Sequence, residues 1–211
     1  MTVRLTSKSG LSAKTYFLSY DDVESQVMQD LARYQKICVE KGYSIDTNQP
    51  LDVDHFAEVL FGVEIEHTNI PQMPTEEVLG YYDPLNNKIV CDPEVCNSDG
   101  RIAFTIAHET GHISLHSCLA VGANVKKWRG LHKHAHIEWQ ANAYAAFLLA
   151  PTPRVITFLT EEGYMEFGQF VDTVDMETFA PKMAERFGMS WHASEIRLQR
   201  MEVPMVNKKY S

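Results

Sequence analysis

RIAFTIAHETGHISLH (residues 101–116) places His108, His112 and His116 at intervals of four, with Glu109 beside the first. Read at about 100° per residue, the stretch predicts a helix from about residue 100 to 118. With His108 as origin, Ile102, Ile106 and Ile113 fall in one sector and Phe104, Gly111, Leu115 and Leu119 in another. The histidines lie between them, with Glu109 at the edge. Only Ala103, Thr110, Ser114 and Ser117 remain, so no broad charged face exists and the helix is expected to be buried on most sides. Buried imidazoles and a buried carboxylate need partners, and one metal ion satisfies them together.

His108 and His112 stand one turn apart on one face, close enough to hold a single zinc ion, as in an HExxH pattern. Glu109, about 100° round the helix, sits where it can take a proton from a metal-activated water rather than ligate. Chance alone would give this pattern about 0.03 times in a chain of this composition, so the surrounding residues have to carry the reading. His116 lies about 12 Å along the axis from His108, beyond what one zinc can bridge, and is read as a supporting or core residue. The later histidine of a metzincin, placed after a chain-turning glycine, is absent. The third ligand must therefore come from another element. Glu138 opens the apolar stretch EWQANAYAAFLLA (residues 138–150), where Ala141, Asn142, Ala145 and Leu149 share its face. The small residues would allow a close helix approach, and Asn142 could fix an imidazole tautomer. The competing reading makes Glu138 a solvated acid at a helix start. His132, His134 and His136 are rival ligands, ranked second because a loop holds a site poorly.

Around this centre the periodicities predict an α+β chain with a small antiparallel sheet. Val23, Val27, Leu31, Tyr34 and Cys38 mark an amphipathic helix over residues 21–40, stopped by Gly42. LDVDHFAEVLFG gives a short helix with Asp52 or Asp54 near its start and Gly62 at its end. VEIEH alternates as a strand, and GYYDPLNNKIVCDP turns at Asp83, Pro84, Asn86 and Asn87 as a β-hairpin. Residues 119–136 read as a loop, Pro151 and Pro153 end the Glu138 helix, and the remainder reads as mostly helical. MAERFGMSWHASEIRLQR has a helix-turn-helix outline, with Gly188 at the turn and Ser190 as N-cap. Packing is preferred to DNA reading there, because Glu185 and Glu195 dilute Lys182, Arg186, Arg197 and Arg200.

The 211 residues carry a formal charge of −9, which argues against binding nucleic acid through general phosphate neutralisation. Cys38, Cys91, Cys96 and Cys118 form no CxxC pair and are read as reduced. The first 20 residues lack a signal-length apolar run, and no stretch reaches membrane-spanning length, so a cytoplasmic protein without a membrane partner is expected. KKWRGLHKHAH (residues 126–136) concentrates positive charge before Glu138 and reads as a solvated loop, with a substrate-gripping lid as the alternative.

Taken together, RIAFTIAHETGHISLH, EWQANAYAAFLLAP and the hairpin GYYDPLNNKIVCDP resemble the ImmA/IrrE family of zinc metallopeptidases. The likeness extends over DVDHFAEVLFGVEI and AERFGMS, from about residue 25 to 200. The resemblance implies a zincin-like core, one Zn2+ per chain on His108, His112 and Glu138, and Glu109 as general base. His116 matches a histidine often present in the family but not assigned to the metal. It also implies a narrow-specificity endopeptidase whose protein partner is a helix-turn-helix repressor or an antitoxin. Two features differ: Ala150 stands where methionine is usual, and the first 20 residues match nothing in the family. No room is expected for the sensor domain of its radiation-response members. On this basis residues 1–20 form an extension, 21–160 the zincin-like metallopeptidase domain, and 161–211 a helical C-terminal region packed on it. Tyr81, Tyr82, His132, His134 and His136 are candidates to stabilise the oxyanion. The rival classes are a non-proteolytic zinc-binding regulator or toxin component, and a DNA-binding regulator using residues 183–200.

Overall fold

Side-chain caps and left-handed glycines set the ends of most helices. The computed structural model describes residues 18–72, 77–120, 135–166 and 168–204, residues 117–120 by their backbone alone. Ser19 and Asp22 form a reciprocal capping box at the start of α1 (Tyr20–Lys41), and Gly42 closes it at φ 76°. Asp52 caps α2 (Val53–Phe61), accepting from the His55 N–H, and Gly62 ends it. Three strands follow, β1 (Glu64–His67), β2 (Gly80–Asp83) and β3 (Lys88–Cys91), then the short α3 (Pro93–Cys96).

The sheet is mixed rather than wholly antiparallel. β2 and β3 make the expected hairpin, pairing Tyr82 with Ile89, whereas β1 runs parallel to β3, pairing Ile65 with Ile89. The order is β1-β3-β2. β1 and β2 are consecutive in the chain but not neighbours in the sheet, so the most apolar strand, β3, is inserted in the middle, where Ile89, Val90 and Cys91 are buried.

α4 (Asp99–Ala120) starts from Ser98, whose hydroxyl accepts from the Arg101 N–H, and packs on the sheet, on α2 and most extensively on α5 (Ala135–Leu149). Ile106, Ala107, Thr110 and Ile113 are buried, as expected for a helix enclosed on several sides. At the crossing with α5, a Cβ on Gly111 would stand 3.0 Å from Tyr144 Cβ. α1 covers the pair through a fully buried Asp30. This carboxylate accepts from Ser114 Oγ (2.5 Å) on α4, Tyr144 Oη (2.9 Å) on α5, and Gln26 and Arg33 on its own helix. Burial, then the Asp30 charge, pushes the Tyr144 hydroxyl well above its ordinary range, so it stays a donor.

Pro151 caps α6 (Thr152–Glu161), and Pro153 lies in its first turn. A two-stranded ribbon, β4 (Met165–Glu166) with β5 (Gln169–Phe170), interrupts a region expected to be mostly helical. Its strands are too short to show an alternating pattern. α7 (Met176–Phe187) and α8 (Trp191–Arg200) then turn at Gly188 (φ 62°), with Ser190 as N-cap. Arg197 is buried and spent internally: it donates to Ala150 O (3.0 Å) and Thr152 Oγ1 (2.6 Å), and its guanidinium lies over the Phe147 ring. Burial lowers its pKa to about 10. Cys38, Cys91 and Cys96 are buried free thiols. Among the described residues no single helix is long and apolar enough to cross a membrane.

Replacing Gly111 by Ala is expected to force α4 away from α5, lowering stability by about 1–3 kcal/mol in denaturant unfolding. Stability equal to the unsubstituted chain would show that the helices have slack at this crossing.

Candidate metal centre

The contacts of α4 with α5 bring His108 and His112 opposite Asn142 and Glu138. His108 Nε2 and His112 Nε2 stand 3.0 Å apart. Glu138 Oε2 lies 3.3 Å from the first and Oε1 3.4 Å from the second. Tetrahedral ligands with bonds of about 2.0–2.1 Å are separated by about 3.3 Å, and the distance between the two nitrogens and the nearest approach of Glu138 to each are close to that spacing. Among the described residues, His108, His112 and Glu138 are the group that can converge on an ion. Two imidazole nitrogens facing each other beside a carboxylate also match the charge of a cation better than any neutral occupant.

Exposure is graded across the site. The side chain of His112 is 1% exposed, that of His108 16% and that of Glu138 33%. Of the three, His112 is enclosed by the protein and Glu138 is the most exposed side chain.

Hydrogen bonds outside the donor set hold the rings. His108 Nδ1 donates to Asn142 Oδ1 at 2.9 Å, which leaves the Nε2 lone pair for the metal. His112 Nδ1 faces His116 Nδ1 at 3.1 Å, and His116 Nε2 faces Gln140 Oε1 at 2.9 Å. The third histidine of the motif thus lies behind the second instead of beside the ion. Burial lowers the pKa of His108, but the Glu138 hydrogen bond and the Glu109 and Glu138 charges outweigh it and leave a net rise. The site thus favours positive charge at this position.

Glu109 is buried, and its Oε2 accepts from the backbone N–H of Tyr82 on β2 at 3.0 Å. The sheet edge therefore orients this carboxylate. Tyr82 contributes through its main chain, since its hydroxyl donates to Asn87 Oδ1 (2.9 Å) within the hairpin and is engaged there. Tyr81 points to the opposite face of β2. His132 and His134 lie outside the described residues, as do most of residues 119–136. His136 falls in the first turn of α5 and outside the converging group.

Sequence reasoning missed Gln140, the Tyr82 N–H and Asp30. A polar residue among Ala141, Ala143 and Ala145 was a usable signal for Gln140; no signal marks a backbone donor on another element.

An α+β core with a paired-histidine helix, a glutamate on the next helix and a second carboxylate alongside defines a metallopeptidase-type protein. The family model described as IrrE N-terminal-like domain, Peptidase_M78, matches residues 60–199, and the chain belongs to that family. A solved Mycobacterium tuberculosis transcriptional regulator is similar in fold, with a TM-score of 0.50 and 16% identity over 91% of this chain and 54% of the regulator. The chain thus spans about half the length of that structure. No curated protein matches it significantly.

Metal analysis of the purified chain is expected to find no bound zinc in His112→Ala and about one ion per chain in His116→Gln at saturating zinc. The reverse pattern would exchange the roles of these two histidines.

Proposed function

We propose that the chain is a zinc-dependent endopeptidase that cuts a protein partner, a helix-turn-helix repressor. The observation that carries the reading is the donor set of His108, His112 and Glu138 with the buried Glu109 carboxylate held next to it by Tyr82. A purely structural zinc site needs no base, whereas this one has a carboxylate outside the donor set held beside it.

When bound, zinc lowers the pKa of its water to about 7 and polarises the scissile carbonyl. The chain does the rest. His108, His112 and Glu138 hold the ion, and Asn142 keeps His108 in the ligating tautomer. Glu109, oriented by the Tyr82 N–H, takes the proton of the attacking water and returns it to the leaving amine. The hydroxyl of Tyr82 is engaged in the hairpin, so the donor that steadies the oxyanion is sought among Tyr81, His132, His134 and His136.

The substrate class rests on the likeness to ImmA/IrrE proteins and agrees with membership of a peptidase family. The buried Arg197 favours a packing role for α8 over a base-reading one.

Incubating the zinc-loaded chain with any small helix-turn-helix protein that a neighbouring gene encodes tests both parts. Cleavage is expected, and Glu109→Gln should slow it on the order of 10²–10⁴-fold with zinc still bound. Undiminished cleavage by that variant would dismiss Glu109 as the base, and an uncut repressor would dismiss the substrate.

A further inference from the structure

His112, His116 and Gln140 form a continuous buried chain. His112 Nδ1 lies 3.1 Å from His116 Nδ1, and His116 Nε2 lies 2.9 Å from Gln140 Oε1. Their exposures are 1%, 4% and 1%. A neutral imidazole offers one N–H and one lone pair. Two facing Nδ1 atoms must therefore share a single proton, and neutral rings have two ways to arrange it.

In the first arrangement the Gln140 oxygen accepts from His116 Nε2–H. The His116 Nδ1 lone pair then accepts from His112 Nδ1–H, and His112 Nε2 turns a lone pair toward His108 and Glu138. In the second, the Gln140 amide is rotated end for end. Its NH2 donates to His116 Nε2, His116 Nδ1–H donates to His112 Nδ1, and His112 Nε2 carries a hydrogen where a metal would bind. The two states interchange through the oxygen and nitrogen of one amide, two residues away from the ligand Glu138.

We propose that Gln140 is a positioning residue that acts through His116 to set the metal-binding tautomer of His112. The inference rests on the metal reading given above and extends it beyond the donor set. It gives His116 a role that its spacing along α4 denied it as a ligand. It also assigns both orienting amides to α5. Asn142 fixes His108 directly, while Gln140, on a different face of the helix, reaches His112 only through the intervening ring. The helix that supplies Glu138 thereby prepares both histidines of the facing helix.

The test uses the full chain, with zinc affinity measured by chelator competition and ring tautomers read by 15N NMR of labelled histidines. In the zinc-loaded chain His112 should carry its proton on Nδ1 and His116 on Nε2. Gln140→Glu, an acceptor at the same position, should keep zinc affinity within about threefold, and Gln140→Met, similar in size without an acceptor, should lose about 10–100-fold. Unchanged affinity in Gln140→Met, or His116 protonated on Nδ1 in the zinc-loaded chain, overturns the proposal while leaving the metal reading intact. An unsubstituted chain that binds no zinc removes both. The same tautomers should already hold in the metal-free chain, and His112 protonated on Nε2 there overturns the proposal; this measurement needs no variant, so a misfolded Gln140→Met chain leaves it decisive.

Discussion

Everything at the centre depends on how closely α4 can approach α5. Ligand atoms about 3.3 Å apart, split between two helices, require backbones nearer than bulky side chains permit. Gly111 meets the Tyr144 side chain where a Cβ would already crowd it, and Ala141 and Ala145 on α5 are fully buried. The glycine in the HETGH run is therefore a packing residue: it lets the two ligand histidines on its helix face the glutamate on the other. Asp30 complements it by tying α1 to both helices through Ser114 and Tyr144, so the crossing is fixed by directional bonds as well as by contact. A buried carboxylate is costly unless it is fully hydrogen-bonded, and here four donors meet it.

The same economy runs through the polar residues of the interior. His112, His116, Gln140, Glu109 and Asp30 are all buried among mostly aliphatic and aromatic side chains. Apolar replacements would pack at least as well, so their retention points to geometry rather than stability. Asn142 turns one ring, His116 backs the other, and the edge strand orients the Glu109 carboxylate. The sheet is small, but its position supplies the backbone N–H that Glu109 Oε2 accepts from.

The C-terminal pair of helices is joined to the metal-bearing part by an arginine. Arg197 reaches the carbonyl that ends α5 and the threonine that opens α6, and it stacks on Phe147. A residue that reads in sequence as one more surface cation is instead buried at the junction. Lys182 and Arg186 pair with Glu162 and Glu161, so the charge of this region is largely engaged with its own chain.

The amino-acid sequence alone determined the helix of the two histidines and the glutamate beside the first, and its spacing pointed to Glu138 and away from His116; the structure brings His108, His112 and Glu138 together and sets His116 behind His112. What the sequence determined follows from local rules: a fixed rise and rotation per residue, and the caps and glycines that end helices at Gly42, Gly62 and Gly188. An antiparallel register that sets His112 against Glu138 also sets His108 against Asn142, so even that hydrogen bond was within reach of spacing. Tertiary structure decided the rest. The parallel pairing of β1 with β3, the Tyr82 N–H on Glu109, the Asp30 tie, the burial of Arg197 and the Gln140–His116 relay all join residues far apart in the chain or on different elements. No periodicity encodes such contacts, because they depend on which faces meet once the helices and the sheet have packed.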